Sequence, residues 1–79
     1  MATPKEFSFE IVENIGTISS SNSGWNREVN IVRWNEGKPK LDIRDWAPDH
    51  QKMGKGISLT NEEVTLLKTL LDEFDLDKI

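Results

Sequence analysis

Apolar and polar residues alternate with a period near two along most of the chain and then switch to a helical period, so the pattern predicts strands followed by a helix. From Phe7 to Ser20, Phe7, Phe9 and Ile11 share one parity, and Ile15 and Ile18 follow a break at Asn14 and Gly16. A lone glycine inside a strand pattern marks a bulge or bend, so this reads as one long strand kinked near Gly16, with a hairpin there as the alternative. Ser19 to Gly24 (SSSNSG) is a polar loop and Glu28 to Trp34 a second strand. Asn35 to Pro39 (NEGKP) is a turn with Gly37 available for positive φ, and Lys40 to Trp46 is a third strand. Ala47 to Lys52, a loop opened by Pro48, leads to a short fourth strand, Met53 to Leu59 (MGKGISL), whose glycines allow close backbone approach. Thr60 and Glu63 have capping-box spacing. Val64, Leu67, Leu70, Leu71 and Phe74, with Leu66 widening the stripe, then recur at helical spacing to about Asp75. The expected class is α+β, four strands followed by one helix (β-β-β-β-α).

Alternation also sorts the faces. In the third strand Leu41 and Ile43 point one way and Lys40, Asp42, Arg44 and Trp46 the other; in the second, Val29 and Ile31 oppose Asn30, Val32 and Trp34. The apolar parity is expected to meet the helix, leaving Trp34 and Trp46 on an open face unless the register slips by one residue. There either ring could be replaced with loss of ligand binding but not of folding; an ordinary packing role is the alternative for each. Asp42, between Lys40 and Arg44, either holds these cations in place or neutralises them. Trp25, between Gly24 and Arg27, is a third stacking ring or a plug at the sheet edge, and His50 is a loop residue without a partner set.

Seventy-nine residues make one domain, 1–79, with 1–6 expected to be flexible. A domain this small buries little more than ~60% of its unfolded surface. The absence of cysteine and the single histidine exclude disulfides, thiolate metal sites and a histidine cluster. Oligomerisation is the support that is left, with Leu66, Leu67, Leu70, Leu71 and Phe74 as the candidate dimer interface. No apolar run approaches the ~18 residues of a membrane span, and Met1 to Glu10 lacks the regions of a signal peptide, so a cytoplasmic location is expected. With no nucleophile–base set, phosphate loop or metal-ligand cluster, no enzyme, cofactor or small-molecule substrate is expected. Glu62 and Glu63 read as charges favourable at a helix N-terminus.

The net charge of −4 argues against a nucleic-acid partner until its distribution is considered. Residues 27–56 hold seven basic side chains against five acids, while 1–26 hold one against three and 57–79 two against six. Binding responds to the field at a patch, so an acidic helix is compatible with a basic sheet face. Within 33–59 two tryptophans are interleaved with six of the ten basic residues, a composition suited to bases that need π-faces and phosphates that need cations. The candidate binding set is Trp25, Arg27, Trp34, Lys38, Lys40, Arg44, Trp46, Lys52 and Lys55. Nothing in it reads or rejects a 2′-hydroxyl, so single-stranded RNA stays beside single-stranded DNA. The rival is a protein-interaction module acting as a transcription cofactor through the acidic helix or a sheet edge.

DIRDW followed by MGKGISL and an amphipathic helix resembles the transcriptional coactivator positive cofactor 4 family; with the N-terminal strand, GWNRE and the WAPDH loop the chain looks still more like its single-domain bacterial branch. The resemblance implies a strongly curved antiparallel sheet backed by the helix, dimerisation through helices and sheet edges, and single-stranded DNA in concave sheet channels, hence a nucleoid-associated homodimer. It makes Trp34 the stacking aromatic at the end of the second strand, sets Trp46 at or next to a second aromatic, and puts Lys38, Lys40, Arg44 and Lys55 along the phosphate path. The Trp34–Asp42 hairpin is one residue longer than in eukaryotic members, and the aromatic pair after Asp45 is reduced to Trp46. The serine-rich regulatory region of the eukaryotic coactivators is absent, so the resemblance carries over the binding activity rather than the coactivator role.

Overall fold

A computed structural model describes residues 8–79, so the expected flexibility of 1–6 and the start of the first strand at Phe7 lie outside the described residues. Four strands, β1 (Phe9–Ser20), β2 (Asn26–Trp34), β3 (Pro39–Trp46) and β4 (Met53–Leu59), form one antiparallel sheet in sequence order. The helix α1 (Asn61–Glu73) follows, with a short 3-10 turn at Leu76–Lys78 that the periodicity did not suggest. The predicted order and class are borne out, and β2 and β3 begin slightly earlier than expected.

β1 is continuous, as its bulged reading required, but has three register shifts instead of one. Val12, Ile15 and Ile18 are the extra residues at the shifts, so the strand advances in threes: Ile11, Asn14 and Thr17 face Val32, Asn30 and Glu28, while Glu13, Gly16 and Ser19 face Ile31, Val29 and Arg27. Each bulge adds bend and twist. Their sum shows in the rings. Phe9 pairs with Trp34 at one end of β2 and Trp46 with Asn26 at the other. At ~3.3 Å per residue a flat strand would separate those ends by roughly 26 Å. The Phe9 and Trp46 ring centroids are 5.2 Å apart. The sheet is therefore curled until opposite ends of one face meet, which agrees with the curvature that the resemblance implies.

Register pairs Val29 with Ile43 and Ile31 with Leu41, and sets Ile57 and Leu59 beside Ile43 and Leu41, so the apolar parity forms one face as predicted. That face is convex, and α1 lies over its β3–β4 half. Burial is the reverse of the usual arrangement. On the concave face Val32, Trp46, Asn30, Asp42 and Glu28 are buried, whereas on the convex face Ile57 is 54% exposed and no α1 residue is buried. Of the helical stripe, Leu66, Leu70 and Leu71 are more than half exposed, while Val64, Leu67 and Phe74 are partly covered. The capping box is present: Thr60 Oγ1 accepts from Glu63 N at 3.2 Å and Glu63 Oε1 from Thr60 N at 2.9 Å.

The β2–β3 hairpin corrects the turn assignment. Asn35 and Glu36, not Gly37, hold positive φ (49° and 63°), and Gly37 N donates to Trp34 O at 2.8 Å. Positive φ at both central residues is the type I′ signature, and with Arg33 paired to Pro39 the connection is one residue longer than a two-residue hairpin. The close backbone approach expected in β4 falls on Gly56, opposite Arg44, where a Cβ would overlap Arg44 Cβ and the Ile43 carbonyl.

Candidate nucleic-acid interface

Trp34, Lys40, Arg44 and Trp46 share the concave face, as alternation predicted, because Val32 pairs with Lys40, Glu28 with Arg44 and Asn26 with Trp46. Their accessibility differs from the expectation of an open face. Trp46 is fully enclosed at 0% exposure, its ring 5.2 Å from Phe9 and 5.5 Å from His50, and its Nε1 has no acceptor among the described residues. Curling brings the far end of the same face down on it, so the ring serves as packing. Trp34, at the rim, is half-buried and not enclosed; it lies 5.9 Å from Phe9 and carries the Arg44 guanidinium 4.7 Å above its ring.

A polar network that the sequence reading left in single pieces runs under these rings. Asp42, fully buried, accepts both Arg44 Nε (2.6 Å) and Nη2 (2.8 Å) and also Ser58 Oγ (2.7 Å), whose oxygen accepts Trp34 Nε1 (2.9 Å). Arg44 Nη1 reaches the Gly54 carbonyl at 3.4 Å and Met53 Sδ at 3.6 Å. Asp42 thus anchors Arg44, with no ion pair to Lys40. Alongside, Asn14 Nδ2 donates to Asn30 Oδ1 at 2.7 Å and Asn30 Nδ2 to Glu28 Oε1 at 3.1 Å. His50, read as a partnerless loop residue, has Nε2 2.9 Å from Glu28 Oε2 and a left-handed backbone at φ 59°. The signal for this network was the polar parity itself: Glu28, Asn30 and Asp42 alternate in step with Trp34 and Arg44.

The cations divide by type. Each arginine is paired: Arg27 to Asp45 (2.9 Å), Arg33 to Glu10 (3.6 Å) and Arg44 to Asp42. Hydrogen bonding to Asp45 and its charge hold the Arg27 guanidinium above its ordinary range. Lys38, Lys40, Lys52 and Lys55 are exposed and, among the described residues, none forms an ion pair. Lys38 and Lys40 sit by the β2–β3 turn next to Trp34. Lys52 ends the β3–β4 loop, and Lys55 lies where Gly54 and Lys55 together oppose Asp45.

Trp25 and Arg27 are not brought to this group. Odd positions of β2 face the convex side, where Arg27 pairs with Asp45 and the Trp25 ring edge lies over Gly54. Trp25 also closes the serine loop, Ser21 N donating to Trp25 O at 2.8 Å and Trp25 N to Ser21 Oγ at 3.2 Å. These contacts favour the plug over the third stacking ring.

Residues 21–70 match the family model described as Transcriptional Coactivator p15 (PC4). The chain is also 44% identical over 72 residues to a Treponema pallidum (strain Nichols) protein described as uncharacterized, a match covering 91% of this chain and 85% of that one. The matched segment runs from the serine loop through Trp34, the Asp42–Arg44 pair and Ser58 into α1. With the family match spanning the three strands and most of the helix that build this site, the chain belongs to the Transcriptional Coactivator p15 (PC4) family.

Proposed function

We propose that the chain is a sequence-tolerant single-stranded DNA-binding protein acting as a homodimer. A base stacks at Trp34, and Lys38, Lys40, Lys52 and Lys55 neutralise the phosphates. The observation that carries this reading is the division of cations on a sheet that presents a half-buried indole: the arginines paired with carboxylates, and Lys38, Lys40, Lys52 and Lys55 exposed with no ion pair among the described residues. Stacking contributes roughly 1–3 kcal/mol per base and is indifferent to base identity, while phosphate contacts add a salt-dependent remainder. In this reading Arg44 and Trp46 support the platform from below, and Trp25 and Arg27 stand outside it.

Exposed apolar side chains support the homodimer. Leu66, Leu70 and Leu71 are all more than half exposed, as are Ile15, Ile18 and Ile57, and Val12 nearly so. Large apolar side chains left uncovered in this number, those of α1 and Ile57 beside one another, mark an interaction surface. A second copy, which exposes the same stripe and the same sheet, covers it isologously. The rival reading, a transcription cofactor docking a different protein on this surface without direct nucleic-acid binding, predicts that changes at Trp34 are silent.

Titration of the protein with oligo-dT, oligo-rU and duplex DNA at two salt concentrations tests the proposal. Single strands bound more tightly than duplex, and more weakly at the higher salt, support it, and the rU arm measures how far binding extends to RNA. Equal affinity for duplex, or no binding to any of the three, overturns it.

A further inference from the structure

Trp34 comes from the end of β2, Asp42 and Arg44 from β3 and Ser58 from β4, yet their contacts close on themselves. The indole Nε1 is 2.9 Å from Ser58 Oγ, that oxygen 2.7 Å from Asp42 Oδ2, the carboxylate within 2.8 Å of two Arg44 nitrogens, and the guanidinium carbon 4.7 Å from the centre of the same indole. Proton directions within this ring are forced. An indole can only donate and an ionised carboxylate can only accept, so the Ser58 hydroxyl must accept from one and donate to the other. A side chain able to do both is required at that point.

We infer that Ser58 and Asp42 are positioning residues for Trp34, which fix its ring before a ligand arrives and remove its N–H from recognition. The inference rests on the single-strand reading of the Trp34 face. A hydrogen bond at the indole edge and a cation over its face restrict both side-chain torsions, so a base meets a platform whose ordering cost was met during folding. Because the N–H is already given to Ser58, the ring offers a stacking base its π-system and no hydrogen bond to a base edge. Tolerance of sequence is then a property of the ring closure and not only of stacking.

The experiment compares the full chain with Ser58→Ala and Ser58→Thr by three readouts: proton exchange at Trp34 Nε1 by NMR, thermal melting, and affinity for labelled oligo-dT at two salt concentrations. Ser58→Ala is expected to speed indole exchange and weaken oligo-dT binding by about three- to tenfold, the loss set by one relayed hydrogen bond. The salt slope should not change, since no charge is removed. Ser58→Thr, which keeps the hydroxyl, should restore both exchange and affinity. Parent-like exchange and affinity in Ser58→Ala overturn the inference, as does an affinity loss that follows a collapse in melting temperature and is not rescued by threonine. If the parent itself ignores oligo-dT while Ser58→Ala still frees the indole proton, the single-strand reading fails and the ring closure stands.

Discussion

The two concave-face tryptophans look alike in sequence and take opposite roles through a difference in enclosure. Replacing Trp46 with alanine removes a fully buried ring that packs against Phe9 and His50, and should cost about 3–5 kcal/mol, enough to unfold a domain of this size or bring it close to unfolding. Trp34→Ala should melt much nearer the parent and lose oligo-dT affinity. Thermal melts of the pair check this, and equal melting temperatures would contradict the assignment. The same logic moves Arg44 from ligand to scaffold. Deleting it strands the buried Asp42 carboxylate, an uncompensated charge worth about 3–5 kcal/mol, so Arg44→Ala should reduce stability before it reports on binding. Lysines 38, 40, 52 and 55 are the clean probes. Each alanine replacement should flatten the log–log salt dependence of oligo-dT affinity by about 0.7 with little change in melting. Unchanged slopes in all four variants would remove this rim from the phosphate path.

At the scale of elements, the helix and strands β2 to β4 were legible because each keeps one period: the capping box and stripe gave α1, and two-residue alternation gave the faces of β2 and β3. β1 was only half legible, since three successive bulges turn its period into three, and a period-two reading sees a single break at Gly16. The burial of the concave face was not legible at all. It depends on how far the bulges curl the sheet, a sum of small bends over 12 residues that no alternation rule contains. For the same reason the sequence places Trp46 on an open face and His50 without a partner, since Phe9 and Glu28, which meet them, are remote in sequence. In the β2–β3 hairpin, Gly37 drew the turn assignment because it is glycine, whereas the left-handed positions belong to Asn35 and Glu36. A left-handed conformation costs a non-glycine residue about 1–2 kcal/mol. Glu36→Gly removes that strain but gives back part of it as unfolded-chain entropy, so the melting temperature should rise by a few degrees, roughly 2–6 °C. A fall would show that the Glu36 side chain contributes more than its backbone costs.

For the whole molecule, the inverted burial sets the terms of both stability and function. A sheet curled around a polar network holds Trp34 at its rim through Ser58 and leaves apolar side chains of the convex side and the helix stripe exposed, where the proposal puts a second copy. Sedimentation at micromolar concentration should therefore report a species of twice the 9.0 kDa chain mass. Leu70→Asp should shift it to monomer or unfold it, whereas Lys68→Glu, a change of charge at a position next to the stripe's Leu67, tests whether charge alone has that effect and should leave the dimer intact. Monomer alone from the parent chain would leave the convex face unexplained. In the proposed complex a single strand stacks at Trp34 and nowhere else among the three indoles. Titration of uniformly nitrogen-15-labelled protein with oligo-dT, following the three indole N–H signals, distinguishes them. Large, saturable shifts are expected at Trp34 with much smaller changes at Trp25 and Trp46; saturable shifts at Trp25 or Trp46 with Trp34 unmoved would overturn this assignment.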